Sequence, residues 1–372
     1  MIYLDNAATT FPKPASVISA VTECISSYCG NPARSTHRLA ERSLEKIFEA
    51  REAVARLLSV DNPEGVVFTY NATYALNLAI KSFITEPCTV LISDLEHNAV
   101  VRPLERLHGS IGIKVTRFST EGLSEKYLSS LIDNDTKAIV STLSSNVTGK
   151  RCPIEILSRV AKKHGIYLIL DGSQALGHYP VSLRQYPADV VCAPSHKALF
   201  GIQGAGFAYF KESERRLPLV EGGSGGDSRS PEMPTLLPEG YEAGTPATPS
   251  IVSLLEGIKF IESIGIEEIE KSVTDTSKLF LDRLRSIKGI TLYPSYGGTV
   301  SFNYKEIPSY AVAKELDRRD ICTRAGLHCA PSAHGLLDTL KFGTVRISLS
   351  YFNKKSDADG LYRAMKEITA SY

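Results

Sequence analysis

The chain has 372 residues, of which 43% are hydrophobic and 22% charged, a balance that excludes a disordered or fibrous protein. Its 42 Lys and Arg residues nearly cancel its 41 Asp and Glu residues, so no overall basic field attracts nucleic acid or an acidic membrane surface. The length exceeds what one hydrophobic core ordinarily holds, which predicts two domains.

The sequence also predicts where the protein works and what it lacks. No apolar run is long enough to span a membrane and the first residues show no signal-peptide pattern, so we expect a cytoplasmic protein without a membrane partner. Seven scattered cysteines do not form a disulfide framework. Because no Cys or His cluster has the spacing of metal ligands, we predict no metal site.

Helices are predicted at residues 14–29 and 38–58, and the second has apolar side chains at helical spacing. A strand-then-helix alternation follows them. The predicted strands are 66–68, 89–92, 138–140, 166–170 and 190–193, and the helices between them include 73–82, one after His97, and 153–163. Continuous apolar runs suit strands that are buried on both faces, so the alternation predicts a mostly parallel sheet covered by helices.

The second half of the chain predicts a loop and a smaller unit. Residues 222–244 are rich in Gly, Pro and Ser and predict a long functional loop, since helical periodicity resumes over 250–285. Beyond it, strands at 289–293, 298–303 and 344–349 alternate with helices at 309–318 and 356–369. We therefore predict a large α/β domain over 15–250 and a smaller α+β domain over 251–372, with the N-terminal segment 1–14 joining them.

The stretch Ser195-His196-Lys197 follows one of the buried strands and precedes a glycine-rich turn. In α/β proteins ligands bind beyond the carboxyl ends of strands, where a partly desolvated lysine amine can form a Schiff base. Asp171 ends the preceding strand, with room for one more strand before Lys197. A carboxylate there can keep a pyridine nitrogen protonated, which favours a pyridoxal phosphate site. A surface lysine and a turn-capping aspartate are the alternative interpretation.

A bound phosphate needs backbone amides and hydroxyls, typically at a helix start. Thr73 lies at the predicted entrance of a helix, and Ser195 and His196 directly precede the lysine, so we expect all three to bind phosphate. His97 follows another strand end, where the same ligand would lie. Each residue alone also has an ordinary structural explanation, such as a helix cap for Thr73.

Eight motifs run in order along the chain: YLDNAATT (3–10), NATYALNL (71–78), EHNA (96–99), DGSQ (171–174), SHK (195–197), YEAGTP (241–246), RAGLHCA (324–330) and VRISLSYFN (345–353). Together they resemble class V aminotransferase-fold pyridoxal-phosphate enzymes, and within these the cysteine desulfurases. RAGLHCA resembles the SufS- or selenocysteine-lyase-like subgroup. The resemblance implies the α/β PLP-dependent transferase fold (fold type I), with a mostly parallel seven-stranded sheet in the large domain.

The resemblance also implies roles for individual residues. Lys197 would hold pyridoxal 5′-phosphate covalently and then move protons, with His97 stacked on the ring. The further cofactor contacts that it implies are Ala72, Thr73, Asn146, Asp171, Gln174, Ser195 and His196, with Thr245 supplied by the second subunit of a homodimer that shares its active sites. The substrate contacts that it implies are Asn6, Ala7, Asn146, Arg324 and Arg346, the last as a clamp on the substrate carboxylate.

Cys329 would be the nucleophile, and it would receive sulfur from L-cysteine as a persulfide while L-alanine is released. Arg324 and His328 lie close to it in sequence, and neighbouring cations favour the reactive thiolate. A single cysteine is otherwise more often a small buried hydrophobic residue. Departures from the family pattern at Pro194-Ser195 and Asn71-Ala72 predict that the phosphate contacts differ in detail.

Other functions remain open at this point. The same residues could attack selenium, which would make the chain a selenocysteine lyase. A class V aminotransferase or lyase acting on another amino acid would leave Cys329 incidental, and a scaffold that keeps the fold would be a non-catalytic sulfur-carrier partner. The sequence does not identify a sulfur-acceptor protein, nor whether the sulfur serves iron–sulfur cluster assembly.

Overall fold

The computed structural model describes residues 1–32, 36–212, 216–225 and 229–371. The strands are β1 Ile2–Tyr3, β2 Val66–Thr69, β3 Thr89–Ser93, β4 Lys114–Phe118, β5 Thr136–Thr142, β6 Tyr167–Asp171, β7 Val190–Pro194, β8 Gly206–Phe210, β9 Ile290–Leu292, β10 Thr299–Tyr304, β11 Ile321–Cys322, β12 Arg324–Gly326 and β13 Thr344–Ser348. The helices are α1 Ala15–Glu23, α2 Arg38–Leu58, α3 Ala72–Phe83, α4 Asn98–Ile111, α5 Glu125–Ser130, α6 Ile154–His164, α7 Thr248–Ile264, α8 Ile266–Arg285, α9 Ser309–Asp317, α10 Pro331–Leu336 and α11 Lys355–Ser371.

A seven-stranded sheet forms the centre of the molecule, in the order β2-β8-β7-β6-β5-β3-β4. Strands β3 to β7 pair in parallel, and only β8 runs against its neighbours β2 and β7. The predicted mostly parallel seven-stranded sheet is therefore confirmed. The sequence did not predict β4, a partly exposed edge strand without an apolar run, or β8, which begins at a glycine.

A second sheet of four antiparallel strands, β12-β13-β10-β9, lies in the C-terminal part of the chain. The N-terminal segment reaches it, because Asp5 forms an isolated bridge with Ser348 of β13, while β1 pairs in parallel with β11 in a separate two-stranded sheet. One apolar core extends from the large sheet to this smaller one, with members from Leu4 to Ile368. The division at residue 250 falls in the first turn of α7 and stays a prediction.

The helices differ from the predicted ones in three places. The helix predicted at 14–29 is α1 followed by a π-helical turn, Cys24–Tyr28. The helix predicted at 250–285 is α7 and α8, which separate at Gly265, where φ is 90°. Asn71 rather than Thr73 caps α3, because the Asn71 side chain accepts a hydrogen bond from the Tyr74 amide. No helix among the described residues combines the length and the apolar character that a membrane span requires.

Candidate active site

A cavity of about 330 Å³ lies beyond the carboxyl ends of β3, β5, β6 and β7. This edge of the sheet collects the residues that follow each strand, as parallel α/β sheets generally do. Of the predicted site residues, the following line it: Ala7, Ala72, Thr73, His97, Asn146, Asp171, Gln174, His196, Lys197, Arg324, Cys329 and Arg346. Asn6, Ser195 and Thr245 do not.

Lys197 and Asp171 enter the cavity from neighbouring strands. The register of β6 against β7 places Asp171 opposite Cys192, so the lysine follows a short loop at the same sheet edge. Burial lowers the pKa of Lys197 to about 8, although Asp171 acts in the opposite direction. The neutral form of such an amine, which can act as a nucleophile or base, is far more populated near physiological pH than that of an ordinary lysine, although the charged form still predominates. Asp171 is buried, and one carboxylate oxygen accepts from the Ser173 amide at 2.9 Å.

The start of α3 and the loop before Lys197 provide donors for a phosphate. The Asn71 Oδ1 accepts from Tyr74 N at 3.1 Å, while the first amides of the helix, at Ala72 and Thr73, have no acceptor in the helical hydrogen-bond pattern. His196 adds a buried Nδ1 that has no partner among the described residues. Burial lowers the pKa of His196 to about 4, so its imidazole is neutral at physiological pH and offers one N–H.

Ser195 does not face the cavity, contrary to the prediction that it binds phosphate. The residue is fully buried and its hydroxyl donates to the carbonyl of Ile202, while its amide donates to Ala205. Its hydroxyl thus closes the turn after β7. This local hydrogen bond satisfies a buried polar group that would otherwise be costly, and it has no signal in the sequence.

Asn6 also differs from its predicted role as a substrate contact. Its Nδ2 donates to the Ser348 carbonyl at 2.8 Å and to Asn353 Oδ1 at 3.2 Å, which fixes the N-terminal segment against β13. The neighbouring Ala7 does line the cavity, where its carbonyl accepts from Gln174 Nε2 at 2.9 Å. Asn6 therefore supports the wall of the cavity rather than contacting its content.

Arg346 is 1% exposed, and it is held from two sides. Its Nη2 donates to Asp5 Oδ1 at 2.7 Å and its Nη1 donates to the Asn146 carbonyl at 3.0 Å. Its Nε is buried with no partner among the described residues, so the guanidinium keeps N–H groups for a carboxylate. Burial lowers the pKa of Arg346, and Asp5 opposes that shift. Sequence reasoning missed Asp5, although it lies inside the first motif, YLDNAATT.

Cys329 is exposed and follows β12 in a sharp turn. The Arg324 Nη2 lies 4.0 Å from its Sγ, so the predicted cation is present. His328 is not a second cation, because its ring is buried with Nε2 3.1 Å from Thr344 Oγ1, and burial followed by the charge of Arg346 lowers its pKa to about 2. The expectation that His328 promotes the thiolate is therefore wrong.

His97 lines the cavity and also caps α4, since its Nδ1 accepts from the Ala99 amide at 3.0 Å. Burial lowers its pKa, so a neutral ring faces the cavity. Behind it lies Glu96, which is fully buried and accepts hydrogen bonds from Ser93 and, at 2.8 Å, from the Thr142 amide. Burial raises the pKa of Glu96 to about 8, so this carboxyl is protonated at physiological pH. The sequence alone did not identify it.

Thr245 lies in a different groove of about 200 Å³, which α2, the start of α3 and the loop before α7 line. Its hydroxyl accepts from Asn31 Nδ2 at 3.4 Å. The motif that contains it is anchored by Glu242, whose carboxylate pairs with Arg51 at 2.6 Å and accepts from the Phe68 amide at 2.6 Å. Thr245 is thus apart from the cavity of its own chain.

The donors present fit pyridoxal phosphate. A helix start and an unpartnered imidazole nitrogen suit its phosphate, a buried carboxylate suits its pyridine nitrogen, and a lysine of lowered pKa suits its aldehyde. Among the described residues there is no group of three or more His, Cys, Asp or Glu side chains that could hold a metal ion. The helix start, the imidazole, the carboxylate and the lysine together suit an organic cofactor of this kind.

The comparisons with known proteins agree with this geometry. The family described as "Aminotransferase class-V" matches residues 2–361. A "Probable cysteine desulfurase" of Halalkalibacterium halodurans is 30% identical, over 99% of this chain and 93% of that protein, and a "Cysteine desulfurase" of Escherichia coli is 28% identical over 99% and 93%. The apo structure of a cysteine desulfurase from Thermococcus onnurineus superposes with a TM-score of 0.90 at 28% identity, covering 100% of this chain and 95% of that one. The chain therefore belongs to the class-V aminotransferase family, is an enzyme that depends on pyridoxal phosphate, and has the cysteine desulfurases as its relatives within that family.

Proposed function

We propose that this enzyme is a cysteine desulfurase that converts L-cysteine to L-alanine and takes up the sulfur as a persulfide on Cys329. The observation that carries the proposal is one cavity lined by Lys197, Asp171, Arg346 and Cys329 together. The first two residues suit any pyridoxal phosphate enzyme. The exposed thiol beside Arg324 is the feature that points to sulfur transfer, and the names of the relatives support the same substrate.

The residues divide the reaction between them. The cofactor, when bound, supplies an electron sink that makes the Cα proton of the substrate acidic. Lys197, with its lowered pKa, accepts that proton on Nζ, and Arg346 orients the substrate through its carboxylate. The Cys329 thiolate then attacks the substrate sulfur. The new S–S bond forms as the Cβ–S bond breaks, the bonding electrons stay with the carbon skeleton, and protonation of that carbon yields alanine.

A test of this function replaces the proposed nucleophile and a matched cysteine. In the presence of a dithiol reductant, which releases the persulfide sulfur as sulfide, Cys329→Ala is expected to abolish formation of sulfide and alanine from cysteine, whereas Cys322→Ala, in β11, leaves the rate near that of the wild type. A Cys329→Ala enzyme that makes alanine and sulfide from cysteine at the wild-type rate would refute the proposal. Measuring turnover of selenocysteine alongside cysteine decides whether selenium is the better substrate.

We also propose that two chains pair, with Thr245 of each completing the other's cofactor site. Thr245 lies outside its own cavity, and the groove around it contains the exposed aromatic side chains Tyr70 and Tyr74. Exposed apolar patches rimmed by polar groups are typical of interfaces. We expect a mass in solution near twice 40.6 kDa for the wild type. In Thr245→Val we expect a lower affinity for the cofactor. A monomer of 40.6 kDa that retains full activity would contradict the pairing.

The sulfur held on Cys329 requires an acceptor, and we propose a sulfur-acceptor protein, because the thiol lies exposed at the surface of the molecule. The relation to the SufS- or selenocysteine-lyase-like subgroup rests on the segment RAGLHCA, in which the cysteine follows β12 in a short turn rather than a long loop. Alanine formation that accelerates when a purified thiol-bearing carrier protein is added, with the sulfur recovered as a persulfide on the carrier, would support transfer to such a partner.

A further inference from the structure

The turn that carries Cys329 has an unusual backbone. His328 has φ of 49° and Cys329 has φ of 59°, so two consecutive residues with side chains occupy the left-handed region. Residues other than glycine adopt that conformation rarely and singly, and they keep it only where the surroundings fix it. The position of the thiol therefore depends on whatever holds these two peptide groups.

Both carbonyls of the turn are held by residues that follow strands of the large sheet. The Asn98 amide donates to the Cys329 carbonyl at 2.8 Å, and the Asn146 Nδ2 donates to the His328 carbonyl at 2.6 Å. Any residue at position 98 would provide the first bond, since the donor is a backbone amide. The second bond depends on the side chain of Asn146, which is buried in the loop between β5 and α6.

Asn146 also contacts the guanidinium of Arg346. Its backbone carbonyl accepts from Arg346 Nη1 at 3.0 Å. One residue thus touches both the turn of the nucleophile and the group that would bind the substrate carboxylate. Its Oδ1 is buried without a partner among the described residues, and as an acceptor it suits a donor rather than a carboxylate.

We propose that Asn146 is a positioning residue that places the Cys329 thiol by holding the His328 carbonyl, and that its own carbonyl sets the distance from this turn to Arg346. The proposal rests on the proposed function, in which Cys329 receives the sulfur. It adds to the role as a cofactor and substrate contact that the resemblance implies, because one N–H of the Asn146 amide donates to the turn while the amide carries a second N–H.

The test compares two asparagines in the holoenzyme whose side-chain amides donate to a backbone carbonyl, the buried Asn146 and the partly buried Asn303. Asn303 is the matched control, since its Nδ2 also donates to a carbonyl, that of Gly343 at 2.9 Å, but outside the cavity. In Asn146→Ala, amide exchange of residues 327–330 and alkylation of Cys329 by iodoacetamide without substrate are expected to accelerate about tenfold, the effect of one lost buried hydrogen bond. The kcat for cysteine should fall as well. Asn303→Ala should leave all three unchanged.

These readouts separate the two proposals. Unchanged exchange and alkylation in Asn146→Ala would overturn the positioning role, whatever happens to turnover, because neither measurement involves substrate. Should the alanine variant fail to fold, the same measurements are made on Asn146→Asp, which has nearly the same shape but an oxygen in place of the Nδ2 donor. Normal sulfur release by Cys329→Ala would instead refute the proposed function, while the exchange result would still report on the turn.

Discussion

The ion pair between Arg51 and Glu242 predicts how the loop before α7 is held. The two guanidinium Nη atoms donate to the two carboxylate oxygens at 2.8 and 2.6 Å, and the same carboxylate accepts from the Phe68 amide at 2.6 Å. The side chains are only 8% and 18% exposed. Glu242→Gln removes the negative charge while it preserves the shape and one acceptor oxygen.

The magnitude follows from the burial of the pair. Removing one partner of a buried ion pair leaves an uncompensated charge and typically costs 3–5 kcal/mol, so with one hydrogen bond retained we expect a loss of about 3 kcal/mol. The cation–π contact of Arg51 over the Phe68 ring, at 4.7 Å, is unaffected. For a chain of 372 residues that unfolds as one unit, the loss corresponds to a fall in the unfolding midpoint of roughly 4 °C.

Thermal unfolding of the holoenzyme and hydrogen exchange of residues 236–247 measure this effect. Glu262→Gln is the control. Glu262 of α7 pairs at 3.1 Å with Arg56, which lies on α2 like Arg51, but the Arg56 side chain is 54% exposed and that of Glu262 is 42% exposed. Such exposed pairs contribute less than about 1 kcal/mol, so its midpoint should hardly change. Equal falls in midpoint for the two variants, or unchanged exchange of the loop in Glu242→Gln, would refute the reasoning.

Three further predictions concern the cavity. Because burial lowers the pKa of Lys197 to about 8 from 10.5, the unfolded chain binds more protons in that interval, so the cofactor-free enzyme should gain stability as pH rises through it. Lys197→Met should lack this slope in urea titrations, and an equal slope would contradict the assignment. Asp5→Asn leaves the buried guanidinium at the cavity without its counter-charge and should lower the free energy of unfolding by about 3 kcal/mol; an unchanged urea midpoint would count against it. Gly206→Ala should weaken cofactor affinity in absorbance titrations, because its Cβ would lie 2.8 Å from Asn71 Cα before α3, whereas Gly109→Ala, with no atom within 4 Å, should not.

The sequence predicted the sheet well because its signals are local. Buried parallel strands are continuous apolar runs, and their ends place Asp171 and Lys197 at one edge once the strands pair in register. The antiparallel strand β8 escaped prediction because it begins at a glycine, and its place in the sheet depends on its pairing with β2 and β7.

The polar contacts of the site were harder to predict. The pair of Asp5 with Arg346 joins residues 341 positions apart, and no pattern along the chain reports it. Ser195 and Asn6 belong to motifs, yet the motif does not say whether a side chain faces the ligand or supports the wall. The burial that makes His328 neutral likewise depends on tertiary packing around Thr344.

The attachment of the N-terminal segment has a consequence for biosynthesis. Ile2 and Tyr3 pair with Ile321 and Cys322, and the Thr10 amide donates to the His196 carbonyl at 2.9 Å beside the cofactor lysine. Chains grow at roughly 5–20 residues per second, so this segment waits on the order of tens of seconds before its strand partner is synthesised. During that time the large sheet can form and hold Ala7 and Thr10 through Gln174 and His196, but the partners of β1 and of Asp5 do not yet exist. The end of the cavity that Asp5 and Arg346 form together is therefore completed late in the making of each chain.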